Sequence, residues 1–145
     1  AKDPKHKRGI QLPVIESWIE SGTLEYLGRT DDVRGFIENA DCVVLPSYRE
    51  GTPRTLLEAA SSAKPIIATD VPGCHHVVED QYNGLLCKLK SADDLAEKME
   101  KMASLDEDTL QKFGKNGRRK IESQFDEKLV INKYLHEIET LKKAV

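Results

Sequence analysis

No apolar run in this sequence approaches the ~18 residues that a bilayer-crossing helix needs, so no membrane span is expected. No Gly-x-Gly-x-x-Gly follows an apolar run, which argues against the dinucleotide fingerprint of a Rossmann-type dehydrogenase. Charge of one sign is also lacking. The formal net charge is −3, so there is no basic field to attract nucleic acid or an anionic membrane. The local basic runs at Lys5–Arg8 and Arg118–Lys120 read as solvated surface. Aromatics are few, at 6%, as in an ordinary α/β domain. The three cysteines, Cys42, Cys74 and Cys87, are odd in number and widely spaced. With no signal peptide at the start, the expectation is a reduced, cytosolic protein in which Cys42 and Cys87 act as small buried hydrophobes. Cys74-His75-His76 invites a metal hypothesis, but adjacent ligands rarely converge on one ion and no second pair stands at zinc-like spacing. No Ser-His-Asp arrangement is suggested.

What is present fits one domain over residues 1–145, with 39% hydrophobic and 32% charged residues. The polar stretch 1–9 reads as a loop. Leu12–Glu20 carries an amphipathic helical pattern with Pro13 tolerated near its start. Thr23–Gly28 reads as a strand closed by a glycine turn, and Asp31 and Asp32 as the N-terminal signals of a helix bearing Val33, Phe36 and Ile37. Asp41–Pro46, Pro65–Thr69 and Gly84–Lys88 are continuous apolar runs, the mark of parallel strands covered on both faces. Helices are expected between them, near 53–62 and 74–80, and after them at 92–103, 106–123 and 126–143, with Asp93-Asp94 starting one and Asp126 capping the last. The fold class is therefore α/β, a Rossmann-like doubly wound parallel sheet followed by C-terminal helices.

The chemistry concentrates in Leu45–Ala60. This stretch runs from the end of a strand through a tight loop into a helix, and that edge of an open parallel sheet is where ligands bind. Gly51 permits a left-handed turn or a close backbone approach. Thr52 suits the N-cap and Pro53 the first helical position. The free N–H groups of Arg54 and Thr55 would then form an anion site suited to a diphosphate. A cation at Arg54 opposes the helix dipole, and two partners could compensate it: Glu58 one turn on, or a bound phosphate. Glu50, in the loop, can accept hydrogen bonds from hydroxyls. Glu58 leans toward the helix start and can accept two from a vicinal diol such as a ribose.

Glu50 to Glu58 resembles the E-x7-E motif of the retaining GT-B glycosyltransferases (glycosyltransferase family 4). The neighbours agree in order: Leu27-Gly28-Arg29, Asp41 to Pro46-Ser47, Lys64 to Asp70, Pro72-Gly73-Cys74 and Asn83 to Leu86. Tyr48 to Thr55 is similar to bacterial N-acetylhexosamine transferases that build glycans on lipid carriers. The resemblance implies that the chain is the C-terminal, donor-binding part of a GT-B fold, lacking that domain's first two strands. It implies Glu50 as the catalytic-site carboxylate, holding the donor hexose with the Gly51–Thr52 backbone. The N–H groups of Arg54 and Thr55 would hold the diphosphate, Glu58 would bind the ribose, and Gly28-Arg29 would lie against the base, with Ser47 and Pro53 also among the donor-binding residues. The implied donor is a nucleotide-sugar, a UDP-sugar, with no metal and no other cofactor. The implied partners are a separate N-terminal GT-B domain and a glycan or lipid-linked acceptor, with peripheral membrane association of the full-length protein at the inner face. A fragment of this kind is expected to be inactive alone.

The sequence departs from that pattern at Ala63 and Gln81, where the family carries glycine, and at His76, where glutamate is common. Without the first two strands, either sheet edges stay unpaired or the sheet is rearranged. The last helix carries an apolar stripe from Leu129 to Leu141. Either it crosses to the N-terminal domain, as in relatives, or it packs on its own sheet. The alternative to a transferase half is a non-catalytic α/β nucleotide-binding or interaction module.

Overall fold

The apolar runs become three parallel strands, β1 (Val43–Leu45), β2 (Ile66–Thr69) and β3 (Gly84–Cys87), in the order β1-β2-β3. Register pairs Val44 with Ile67 and Ile67 with Leu85, so β2 is central and side chains alternate between two covered faces. The computed structural model describes residues 10–143, and the basic run at 5–8 lies outside the described residues. The described chain forms two compact units that meet between Asp32 and Val33.

In the first unit, α1 (Leu12–Glu20) takes Pro13 in its first turn and ends in a Schellman motif. The Gly22 N–H donates to Ile19 O at 3.0 Å and the Thr23 N–H to Trp18 O at 2.9 Å, with Gly22 at φ 72. The strand expected at Thr23–Gly28 does not form. A strand is held by lateral hydrogen bonds to a neighbour, and no strand pairs with this segment among the described residues. Gly28 does hold a left-handed backbone, at φ 77, although no turn is formed there.

The second unit opens with α2 (Arg34–Asn39), whose carbonyl end at Glu38 receives the Lys64 ammonium at 2.8 Å. Asp31 and Asp32 stand just before this helix, although its N-cap is Val33. After β1 comes α3 (Arg54–Ser61), then α4 (Pro72–His75) after β2. The helix expected over 74–80 is thus earlier and a single turn long. The chain after it turns back through Asn83, whose fully buried side chain accepts from Glu79 N at 2.7 Å and donates to Val77 O at 2.9 Å. Helices α5 (Ala92–Ala103), α6 (Glu107–Gln124) and α7 (Glu127–Lys143) complete the chain. Ser91 and Asp106 cap α5 and α6, and the Asp126 carboxylate receives the Lys128 N–H at 2.8 Å at the start of α7.

Both faces of the sheet are packed, as the continuous apolar strands required. On one face Leu56, Ala59 and Ala60 of α3 meet Ile66, Ala68, Val77 and Val78. On the other, Met102 of α5 and Phe113 of α6 meet Ile67 and Leu85. That second face stays partly open beside β1, in a groove of about 450 Å³ lined by Cys42, Val44, Ile67, Met99 and Met102. The sheet is not rearranged: β1 pairs with β2 alone, and its other edge carries no strand among the described residues.

Helix α6 ties the amino-terminal ends of the strands together. Gly114 has no room for a side chain, because a Cβ there would collide with the Ala63 carbonyl, and Gly117 lies against Ala60. Arg118 is not merely solvated surface: its Nη1 donates to Ser61 O at the end of α3 and its Nε to Glu122 at 2.7 Å. Asn116 reaches Tyr82 O at 2.8 Å. By contrast α7 does not pack on its own sheet. Its apolar side chains, from Leu129 at 47% to Tyr134 at 68% exposure, are uncovered within the described chain.

The end of α3 is a second Schellman motif, with Ala63 N–H to Ala60 O and Lys64 N–H to Ala59 O, both at 3.0 Å. Here the left-handed position holds Ala63 at φ 53 rather than glycine, and Gln81 stands at φ 61 in the turn before β3. Ala63→Gly is therefore expected to raise stability by about 0.5–1 kcal/mol, the strain relieved less the entropy glycine adds to the unfolded chain. Denaturant unfolding checks this, with Gly114→Ala moving the midpoint the other way.

Candidate functional site

The three strands end together at Leu45, Thr69 and Cys87, so the segments 46–53, 70–71 and 88–91 share one edge of the sheet. The predicted residues Ser47, Glu50, Gly51, Thr52, Pro53, Arg54, Thr55 and Glu58 all lie in the first of these segments and the helix it feeds. Gly28 and Arg29 belong to the first unit.

The helix starts one residue later than its sequence suggests. Pro53, buried and extended at φ −70 and ψ 120, is the N-cap, and Thr52 makes no capping hydrogen bond. A proline at this position leaves its own missing N–H irrelevant, and its carbonyl accepts from Leu56 N at 3.0 Å and Leu57 N at 3.2 Å. The backbone N–H groups of Arg54 and Thr55 consequently point out of the helix with no partner among the described residues. The partial positive charge of α3 stands behind them.

Of the two partners open to Arg54, Glu58 is taken up: Nε donates to Glu58 Oε1 at 3.0 Å. The Arg54 side chain remains 90% exposed, so this i,i+4 pair contributes only a few tenths of a kcal/mol. Glu58 Oε2 has no partner among the described residues, which leaves half of that carboxylate ready to accept from a ligand. Glu50 is half-buried in the loop.

Gly51 does not adopt a left-handed conformation. A Cβ built on it would meet nothing within 4 Å, so its outer side is open. The close approach occurs from beneath, through Gly73. A Cβ at residue 73 would collide with the carbonyl oxygens of Gly51 and Glu50, so the first turn of α4 packs backbone against backbone under the loop. Pro72-Gly73 after a strand was the available signal for this contact, but sequence does not say which loop rests on it. The neighbouring Cys74 thiol is buried, and burial first, then the Glu50 carboxylate, pushes it up from 9.0 to about 11.

The Cys74-His75-His76 run is dispersed. Cys74 points into the core, His75 Nε2 meets the Asp70 carboxylate, and His76 is exposed. Among the described residues no group of three or more His, Cys, Asp or Glu side chains is placed to hold a metal ion. Asp93 and Asp94 do start α5. Asp94 also accepts from the Lys88 N–H at 2.7 Å, and that bond holds its carboxyl below the usual range.

A family profile described as glycosyl transferases group 1 matches residues 19–120, a span that contains the whole of this site. The chain belongs to that family. Over 118 residues it is 36% identical to the N,N'-diacetylbacillosaminyl-diphospho-undecaprenol alpha-1,3-N-acetylgalactosaminyltransferase of Campylobacter jejuni, covering 81% of this chain and 31% of that one. Among solved structures it is similar to sucrose-phosphate synthase from Thermosynechococcus elongatus, 25% identical with a TM-score of 0.80, covering 99% of this chain and 37% of the other. It is also similar to a Staphylococcus aureus TarM variant in complex with fondaparinux, alpha-GlcNAc-glycerol and UDP, 26% identical with a TM-score of 0.75, covering 86% of this chain and 26% of that protein. The chain spans about a third of the length of the first curated relatives it matches. Its fold is the Rossmann-like C-terminal half of the GT-B architecture.

Two outcomes follow for this group-1 chain. Gly73→Ala should cost at least ~2 kcal/mol of stability, since backbone must shift to admit the methyl, whereas Gly51→Ala should stay within about 0.5 kcal/mol of the parent by denaturant unfolding. The second concerns pH. Cys42, like Cys74, is pushed up to about 11 by burial, with Asp41 adding to it and a backbone hydrogen bond from Ile67 opposing. The folded state keeps these thiols neutral while the unfolded chain ionises them from 9.0 upward. Their contribution is complete below pH 9 and is lost as pH rises toward 11. Unfolding midpoints should fall across that window, and fall less in Cys74→Ala.

Proposed function

We propose that this chain binds the nucleoside-diphosphate sugar of a glycosyltransferase, a UDP-sugar, in the crevice above Gly51 and the start of α3. The observation that carries the reading is the pair of unpartnered N–H groups at Arg54 and Thr55, at the mouth of a helix that begins on the ligand-binding edge of a parallel sheet. They suit the diphosphate, with the exposed Arg54 guanidinium beside them. Glu58 Oε2 suits a ribose hydroxyl, and Glu50 with the open Gly51–Thr52 backbone suits the hexose. The UDP in the TarM complex supports the choice of nucleotide, and the acceptor named for the Campylobacter relative supports a lipid-linked glycan.

In this reading the departing diphosphate is stabilised by the α3 dipole and basic side chains, with no metal and no other cofactor. Transfer proceeds with retention of the anomeric configuration. It requires a separate N-terminal domain that carries the acceptor, so this chain alone is inactive. The longer protein works in the cytoplasm, at the inner face of the membrane, in bacterial glycan biosynthesis.

Calorimetric titration with UDP tests this. Saturable binding that survives EDTA, weakens roughly tenfold or more in Glu58→Ala and exceeds that of ADP is the expected result. Gly51→Ala, whose methyl enters the open space without touching the fold, is expected to weaken binding too. A folded chain that ignores UDP would instead be a non-catalytic α/β module.

A further inference from the structure

One contact on the ligand-binding edge is not used by the donor site as assigned above. Tyr48 sits in the loop after β1, and the Lys90 ammonium lies 5.9 Å from the centre of its ring. These residues follow β1 and β3, the two strands that flank β2, so the contact reaches across the end of the central strand. The segment it crosses leads into α4, whose Gly73 supports Glu50 and Gly51 from below.

The two sides of this contact differ in rigidity. Lys90 is held in a turn in which the Ser91 N–H returns to Lys88 O at 3.3 Å. The Lys88 N–H is bound to the Asp94 carboxylate, and Ser91 is the N-cap of α5, its hydroxyl accepting from Asp94 N at 3.2 Å. This turn holds Lys90 at φ 59, a left-handed conformation that disfavours any side chain and would suit glycine. A lysine kept there against its backbone preference, with its cation over a ring on the opposite loop, indicates a task for the side chain. Tyr48 is 67% exposed on a loop without secondary structure, and burial does not hold it in place.

We infer that Lys90 is a positioning residue that latches Tyr48, so that the loop carrying Glu50, Gly51 and Thr52 is held over Gly73 in the form that receives the donor. The inference rests on the donor-site reading for its purpose but not for its existence, because the contact joins two side chains of this chain.

Amide hydrogen exchange of the ligand-free chain, followed at Leu56 and Leu57, whose N–H groups both bond Pro53 O at the end of this loop, tests it. Exchange there should rise roughly two- to fivefold in Lys90→Gly and in Tyr48→Leu, the range an exposed cation–π contact supports. It should return to the parent rate in Lys90→Arg and Tyr48→Phe, which keep a cation and a ring. Lys90→Gly should melt no lower than the parent, because glycine relieves the backbone at φ 59, so loosening of the loop and stability of the fold separate. Parent-like exchange in Lys90→Gly and Tyr48→Leu overturns the latch, as does exchange in Lys90→Arg as fast as in Lys90→Gly. UDP titration of the same proteins separates the two claims. If the parent binds UDP, affinity should fall by the same factor as exchange rises, and unchanged affinity with raised exchange overturns the role at the donor site. If the parent does not bind UDP, the donor-site reading fails while the exchange data still decide the latch.

Discussion

Two carbonyl oxygens, those of Glu50 and Gly51, occupy the volume that a side chain of residue 73 would fill. The loop after β1, at the carboxyl-end edge of the sheet, rests on that backbone contact. The contact sets the height of that loop, and with it the position of Pro53 and the direction in which the first amides of α3 point. Those amides act only as a pair with fixed geometry, because a helix end stabilises an anion through aligned N–H groups rather than through net charge. The contact also removes water from beneath the loop, so that Cys74 is a buried neutral thiol while Glu50 keeps its outer side half-exposed.

The opposite edge of the sheet is closed by side chains instead. Helix α6 approaches α3 through Gly114 and Gly117, and Arg118 and Asn116 occupy carbonyls at Ser61 and Tyr82 that would otherwise be unpaired. Asn83 does the same for the turn before β3 with no exposure at all. The unit is therefore tied at the amino-terminal ends of β2 and β3 by side chains on carbonyls, and at the carboxyl ends by the Gly73 backbone contact, the bond from Lys88 N–H to Asp94 and the exposed Tyr48–Lys90 pair. That division suits a site whose loop must accept a ligand while its scaffold stays still.

The elements that were legible in sequence are those whose signal is local. Val43–Leu45, Ile66–Thr69 and Gly84–Cys87 are continuous apolar runs, and α1 and α5 match their expected limits because caps and periodicity lie within the segment itself. The left-handed backbones at Ala63 and Gln81 were foreseeable as sites that favour glycine. Thr23–Gly28 reads as a strand taken by itself but does not form one, because a strand needs a neighbour to pair with. Thr52 lost the cap to Pro53 because a good side-chain acceptor and a rigid φ compete within one turn, and the buried proline prevailed. The contact of Gly73 with Glu50 and the reach of Lys90 to Tyr48 join residues far apart in sequence, and nothing in the spacing of either partner announces the other.

The central claim is that the start of α3 is an anion site that receives a diphosphate. The most direct measurement is a titration of the isotopically labelled chain with UDP, followed residue by residue through backbone amide resonances. The account predicts that the amides of Arg54 and Thr55 move furthest, with Gly51, Thr52 and Glu58 following and with α5 and α6 unmoved. Shifts centred away from the first turn of α3, or saturation that leaves the Arg54 and Thr55 amides in place, would contradict it.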